Sequence, residues 1–157
     1  MPDDTALREQ LIDLLGSSHA HATFDSAVTD FPPDLMGTRP PGSPHSPWEL
    51  LEHMRIAQND ILRFSESANH VSPKFPDGYW PKSPAPKSAS AWNESVRAFQ
   101  EDLAAFATLL RDPARDLYEK FPWGDGQTLL REAFLIADHN AYHLGQLLLL
   151  RRLLGAW

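Results

Sequence analysis

Four stretches of the chain carry apolar residues at helical spacing, and turn-rich stretches separate them. The first starts near Asp4 or Thr5, either of which can cap a helix. Leu7, Leu11 and Leu14 step by four and three, which marks one helical face. The same register continues through Ser18, His21, Asp25 and Val28, so the face turns polar before Pro32-Pro33 stops the helix. The second stretch opens on Ser46-Pro47-Trp48-Glu49, a capping box with proline at the first helical position. Leu50, Met54, Ala57, Ile61 and Phe64 form its stripe, and His53 falls on the same side. The third stretch is the most regular: Trp92, Val96, Phe99, Leu103, Phe106 and Leu110, closed by Asp112-Pro113. No polar residue interrupts that stripe, so this helix is read as structural. The fourth is capped by Thr128 and runs through Leu129, Ala133, Ile136, Asn140, His143, Leu147 and Leu150. Here polar residues sit in the middle of an apolar face.

The connections are turn-rich. The segment 69–88 carries five prolines and the aromatics Phe75, Tyr79 and Trp80. It is longer than most loops in compact domains, which leaves two readings: a crossover pinned by those aromatics, or a lid. Asp125-Gly126 marks a turn just before Thr128. The pattern predicts an all-α fold, a four-helix bundle occupying residues 1–157 as a single domain.

Composition narrows the function more than the fold. A formal net charge of −7 and a pI of about 5.4, with no dense Lys/Arg cluster, argue against nucleic acid and anionic membranes as partners. There is no cysteine, hence no disulfide framework, thiolate metal site or cysteine nucleophile. No basic-then-apolar leader is visible at the N-terminus, and no stretch reaches the ~18 apolar residues of a membrane span. The expected location is the cytoplasm.

The candidate chemistry lies in the histidines. His139 and His143 stand one helical turn apart, so their rings share a face and can converge on one ion. Both lie beside Asn140 on the inner side of a leucine-rich helix, where an unpaired imidazole is costly to desolvate. His53, on the inner side of the second helix, is the candidate third ligand. Three imidazoles leave a coordination position open and suit zinc, nickel, iron or copper. The competing reading is a set of core histidines satisfied by hydrogen bonds. His45 and His70 fall in loops, and His19 and His21 do not share a face. His21 continues the inner stripe, where core filling or a bond to Asp25 competes with an approach to the metal. The nearby carboxylates Glu49, Glu52, Asp60, Glu132 and Asp138 read mainly as solvated, capping or helix-pair residues. In HNAYH, Asn140 stands where zinc proteases carry their glutamate base, which disfavours peptide hydrolysis by that route. No GxSxG or phosphate-binding loop occurs.

PHSPWELLEHMRIAQNDILRF, followed after a long gap by PWGDGQTLLREAFLIADHNAYHLGQLLLLRRLLG, resembles the DinB-like superfamily, over about residues 5–154. The resemblance implies an up-down-down-up four-helix bundle with one divalent ion, zinc, nickel or iron, on His53, His139 and His143. It also implies a homodimer. Some relatives transfer a low-molecular-weight thiol to an electrophile. The first functional expectation is therefore a metal-dependent thiol S-transferase or related detoxifying enzyme acting on small molecules. The rivals are a metal-dependent hydrolase, with Glu49 or His21 as base, and a non-catalytic metal-containing stress or ligand-binding protein.

Overall fold

The computed structural model describes residues 3–16 and 20–157. Among the described residues there are five α-helices: α1 (Thr5–Gly16), α2 (Phe24–Val28), α3 (Pro47–Glu66), α4 (Ala89–Arg111) and α5 (Leu129–Leu153). A single 3-10 turn spans Asp77–Tyr79, and no strand occurs among the described residues. None of the helices among the described residues is long and apolar enough to cross a membrane.

The expected first helix is two helices. α1 ends at Gly16, and the chain starts again at Thr23, whose side chain accepts from the Ser26 N–H at 3.1 Å. Glycine is a weak helix former, whereas threonine at 23 offers a fresh cap. Leu14 is accordingly half exposed and His21 is exposed, while Val28 is buried. Ser18 lies outside the described residues. At the start of α1 it is Asp3 that accepts from the Thr5 N–H (3.0 Å), because the Asp4 carboxylate is engaged by Arg8.

The other starts and stops follow the sequence. Ser46 and Glu49 form the reciprocal capping box with Pro47 in the first turn. Thr128 caps α5 and Asp112 closes α4, while Ser88, which the sequence pattern does not mark, caps α4. α3 packs against both α4 and α5, and α1 packs against the same two helices. The core has two apolar halves. One gathers Trp48, Leu51, Met54, Trp92, Phe99 and Leu147; the other gathers Leu11, Leu62, Phe106, Leu110, Leu129 and Ile136. Where they meet, the Gln58 amide donates to the Phe99 carbonyl (2.7 Å) and accepts from the Asn140 amide (2.8 Å). Ser95 on α4 is a buried polar residue that the stripe did not mark. It donates to Glu52 at 2.6 Å.

Two buried arginines hold the short elements in place. Arg8 donates to the carbonyls of Leu110, Asp112 and Arg115, at and beyond the C-terminal end of α4. Arg151 donates to those of Ser26, Ala27 and Thr29 at the end of α2, and to Ala156. Carbonyls at helix ends lack intrahelical partners, and a guanidinium carries enough donors to serve several at once. Arg151→Met is expected to lower stability by about 3 kcal/mol, because it strands buried acceptors. A urea midpoint left unchanged by that substitution would show that water replaces the guanidinium freely.

Candidate metal centre

His53 lies in the second turn of α3, and His139 and His143 lie one turn apart on α5. The fold brings all three together: one nitrogen from each ring lies within 4.8 Å of the others. Their ring centroids are 4.5 to 4.9 Å apart. His143 is 8% exposed and the other two are partly buried.

Hydrogen bonds orient the rings. His53 Nδ1 is 2.8 Å from the carbonyl oxygen of Tyr79. A carbonyl only accepts, so Nδ1 carries the proton and Nε2 keeps its lone pair. His143 Nδ1 is 2.7 Å from Gln146 Oε1, which leaves its Nε2 in the same state. His53 Nε2 and His139 Nε2 are 3.1 Å apart. In the absence of an ion this is a hydrogen bond with His139 donating. Two nitrogens bound tetrahedrally at ~2.0–2.1 Å from one ion stand about 3.3 Å apart, so the observed spacing fits a shared metal closely. Outer acceptors that fix the imidazole tautomer are the usual support of such sites.

Electrostatics favour neutral imidazoles. Burial, followed by the charges of His143 and His53, pulls His139 down to about 4. Burial also lowers His53 and His143, against the opposing bonds from the Tyr79 carbonyl and Gln146. A neutral imidazole is the form a metal needs. The site can therefore hold a divalent cation on three nitrogens.

The long loop contributes directly. The Trp80 indole stacks on His53 (4.0 Å between centroids, 3° between planes), and His45 stacks on Trp80 (4.1 Å, 14°). Tyr79 supplies its carbonyl to His53, while its hydroxyl donates to Asp60 at 2.7 Å. Burial and Asp60 push the Tyr79 phenol up to about 12, so it stays a donor. The other Asp60 oxygen lies 2.7 Å from His70 Nε2. Tyr79 and Trp80 are thus pinned as expected, but Phe75 is 82% exposed and anchors nothing in the core. Asp60→Ala removes both anchors and is expected to weaken metal binding roughly tenfold to a hundredfold. Far-UV circular dichroism should be unchanged. A chelator competition showing wild-type affinity would mean that the loop does not hold His53.

The remaining candidates stand elsewhere. His21 is exposed with its Nδ1 2.9 Å from the Ala22 carbonyl, and Asp25 accepts from Gln100. His19 lies outside the described residues. The Asn140 amide donates to Gln58, and its side chain also bonds His139, which opposes the effect of burial on that imidazole. Asp138 is exposed. Glu49 caps α3 and Glu52 pairs along it with Arg55, as the pattern suggests; these two and Glu132 are nevertheless buried, and each is paired with an arginine: Arg39, Arg55 and Arg131. Charge pairing offsets the desolvation that the sequence pattern could not show. Of the partners sequence reasoning missed, Gln146 was within reach, three residues after His143 on the same helix. The role of Tyr79 was not, because it acts through its backbone.

The fold and site define an all-helical protein with three histidines able to hold one metal ion. The family model of the DinB superfamily matches residues 18–147, most of the chain, and the chain belongs to that superfamily. No curated protein and no solved structure matches it.

Proposed function

We propose that the protein is a divalent-metal-dependent enzyme that transfers a low-molecular-weight thiol to a small electrophile, with His53, His139 and His143 as the metal ligands. The observation that carries the metal reading is the pair of outer acceptors, the Tyr79 carbonyl and Gln146 Oε1, which leave the Nε2 lone pairs of His53 and His143 free on rings that converge with His139. A divalent ion held there supplies Lewis acidity, which lowers the pKa of a coordinated thiol. The chain's own residues hold three neutral imidazoles in place, and the Trp80 face shields His53 from water. The absence of cysteine accords with a nucleophile brought by a cosubstrate.

The hydrolase alternative needs a general base. Both Glu49 oxygens already accept, from Ser46 N and from Arg39. His21 is exposed on the segment between α1 and α2. Thiol transfer is therefore the preferred activity, with the cytoplasm as its location and a homodimer as the assembly.

An up-down-down-up bundle of α1, α3, α4 and α5 is part of the same reading. Its support is register. Glu52, Gln58 and Asn59 on α3 meet Ser95, Phe99 and Asp102 on α4 in ascending order, as parallel helices do. His53 and Gln58 meet His139, His143 and Asn140 of α5 in the opposite sense. Arg8, early in α1, meets the end of α4.

Elemental analysis of untagged protein, alongside the triple His→Ala variant, tests the metal: about one transition metal per chain is expected in the first and none in the second. Titration of the cobalt-substituted protein with thiols then tests the activity class. A visible spectrum that no thiol perturbs, together with no turnover on thiol and electrophile panels, would leave a ligand-binding protein instead.

A further inference from the structure

α5 has two apolar faces, and only one is used within the chain. Its inner face carries the core residues Ala133, Ile136, Leu144 and Leu147. On the outer side Phe134, Tyr142, Leu149 and Leu153 are each more than half exposed. A surface helix normally turns charged and polar residues outward. α4 in the same fold does so, with Asn93, Glu94, Arg97, Gln100 and Glu101 exposed. The outer stripe of α5 extends about 28 Å, at ~1.5 Å per residue from Phe134 to Leu153. Gly145 lies in its middle, exposed, and an added Cβ there would meet nothing within 4 Å. A glycine in a helix interior costs about 1 kcal/mol relative to alanine, and nothing in this chain approaches it closely enough to require one.

The charges on this stripe have a symmetry. Asp138 stands seven residues before Gly145 and Arg152 seven after, both exposed and both on the Gly145 face. Ala141 stands four before and Leu149 four after. A two-fold axis through Gly145, with the helices antiparallel, sets Asp138 against Arg152 of the partner subunit, twice. The same operation sets small Ala141 against large Leu149 of the partner subunit, and the two glycines cross where the backbones approach most closely. A parallel pairing would instead bring Asp138 onto Asp138 and Arg152 onto Arg152. At each end, Phe134 falls eleven residues from the axis, opposite the region of Ala156 and Trp157. Trp157 is 65% exposed and lies over the Arg152 guanidinium at 5.6 Å.

We propose that a second copy of this chain docks on the outer face of α5, antiparallel, across a two-fold axis at Gly145. This gives the homodimer named above its surface, and it is independent of the metal. Two crossing helix faces bury less than the ~800 Å² per partner of a standard complex, so the dimer is a weak one whose population depends on concentration. Tyr142, on the flank of the stripe, packs edge-on against His143 at 4.8 Å. The interface therefore adjoins the candidate metal centre.

Sedimentation velocity from about 1 to about 200 μM tests the proposal, a range that brackets micromolar dissociation constants. The wild type is expected to pass from monomer to dimer. Gly145→Arg has free space in the monomer and is expected to stay monomeric with unchanged helicity. Asp138→Arg is expected to raise the dissociation constant roughly tenfold or more through like-charge contact. The double variant Asp138→Arg/Arg152→Asp is expected to restore the dimer, since it exchanges the two charges across the axis. A wild type that is monomeric throughout would overturn both this surface and the homodimer. A dimer indifferent to Gly145→Arg would keep the homodimer and overturn this surface. Failure of the double variant to recover what Asp138→Arg lost would overturn the antiparallel register.

Discussion

Replacing any one of His53, His139 and His143 by alanine is expected to abolish stoichiometric metal binding while the helical fold remains. A zinc site of four ligands is worth about 10–16 kcal/mol, or roughly 3 kcal/mol for each ligand. Loss of one imidazole therefore raises the dissociation constant about a hundredfold or more. The remaining pair would still hold a metal weakly, so the measurement must be a titration and not only the metal content after purification. The fold survives because α3 and α5 are held by the apolar residues on either side of the triad: Leu50, Leu51, Leu62, Ile136 and Leu147. Isothermal titration or chelator competition on each variant, beside its circular dichroism spectrum, checks both halves. A variant with wild-type affinity identifies a residue that is not a ligand.

The metal-free protein is expected to lose stability as pH falls from about 6.5 toward about 4, before most carboxylates protonate. The sign follows from His139. Its unfolded-state value is 6.5 and its folded value is about 4. Above the higher value neither state binds a proton and the group contributes no pH dependence. Between the two, the unfolded chain takes up a proton that the folded chain refuses, so unfolding is favoured. Below the lower value the loss levels off. From about pH 6.5 to about pH 5 this one residue accounts for about 2 kcal/mol. Burial lowers His53 and His143 too, and they act in the same direction. Urea unfolding of chelator-stripped protein at the two pH values checks the loss, and His139→Gln should flatten it. Equal midpoints at both pH values would show that the triad takes up protons in the folded state. Bound metal requires the same neutral rings, so affinity should fall over the same window.

Much of the fold was legible because it rests on local rules. Ser46 and Thr128 accept the backbone N–H groups that any helix start leaves open, and Asp112 marks where α4 stops. The inner stripes of α3, α4 and α5 follow from the helical period, and most of their residues are buried. The first helix was misjudged because a stripe of three leucines says nothing of a break at Gly16, and a new cap at Thr23 competes with continuation. The long loop was left between two readings, since a side chain's anchor is a partner distant in sequence.

The sequence by itself determined the start of α3, the end of α4 and the start of α5, the apolar faces of these helices, and the one-turn spacing of His139 and His143. Each of these is set by spacing along one segment, whereas His53 joins the pair only through the packing of α3 on α5. Only the tertiary structure decided what surrounds them. It placed the Tyr79 carbonyl on His53 Nδ1, the Trp80 ring over His53 and Asp60 behind Tyr79. It also paired Glu49, Glu52 and Glu132 with arginines and left the outer face of α5 uncovered. A backbone carbonyl carries no side-chain signature. Burial, in turn, is a property of what packs against a residue, which the helical period cannot supply.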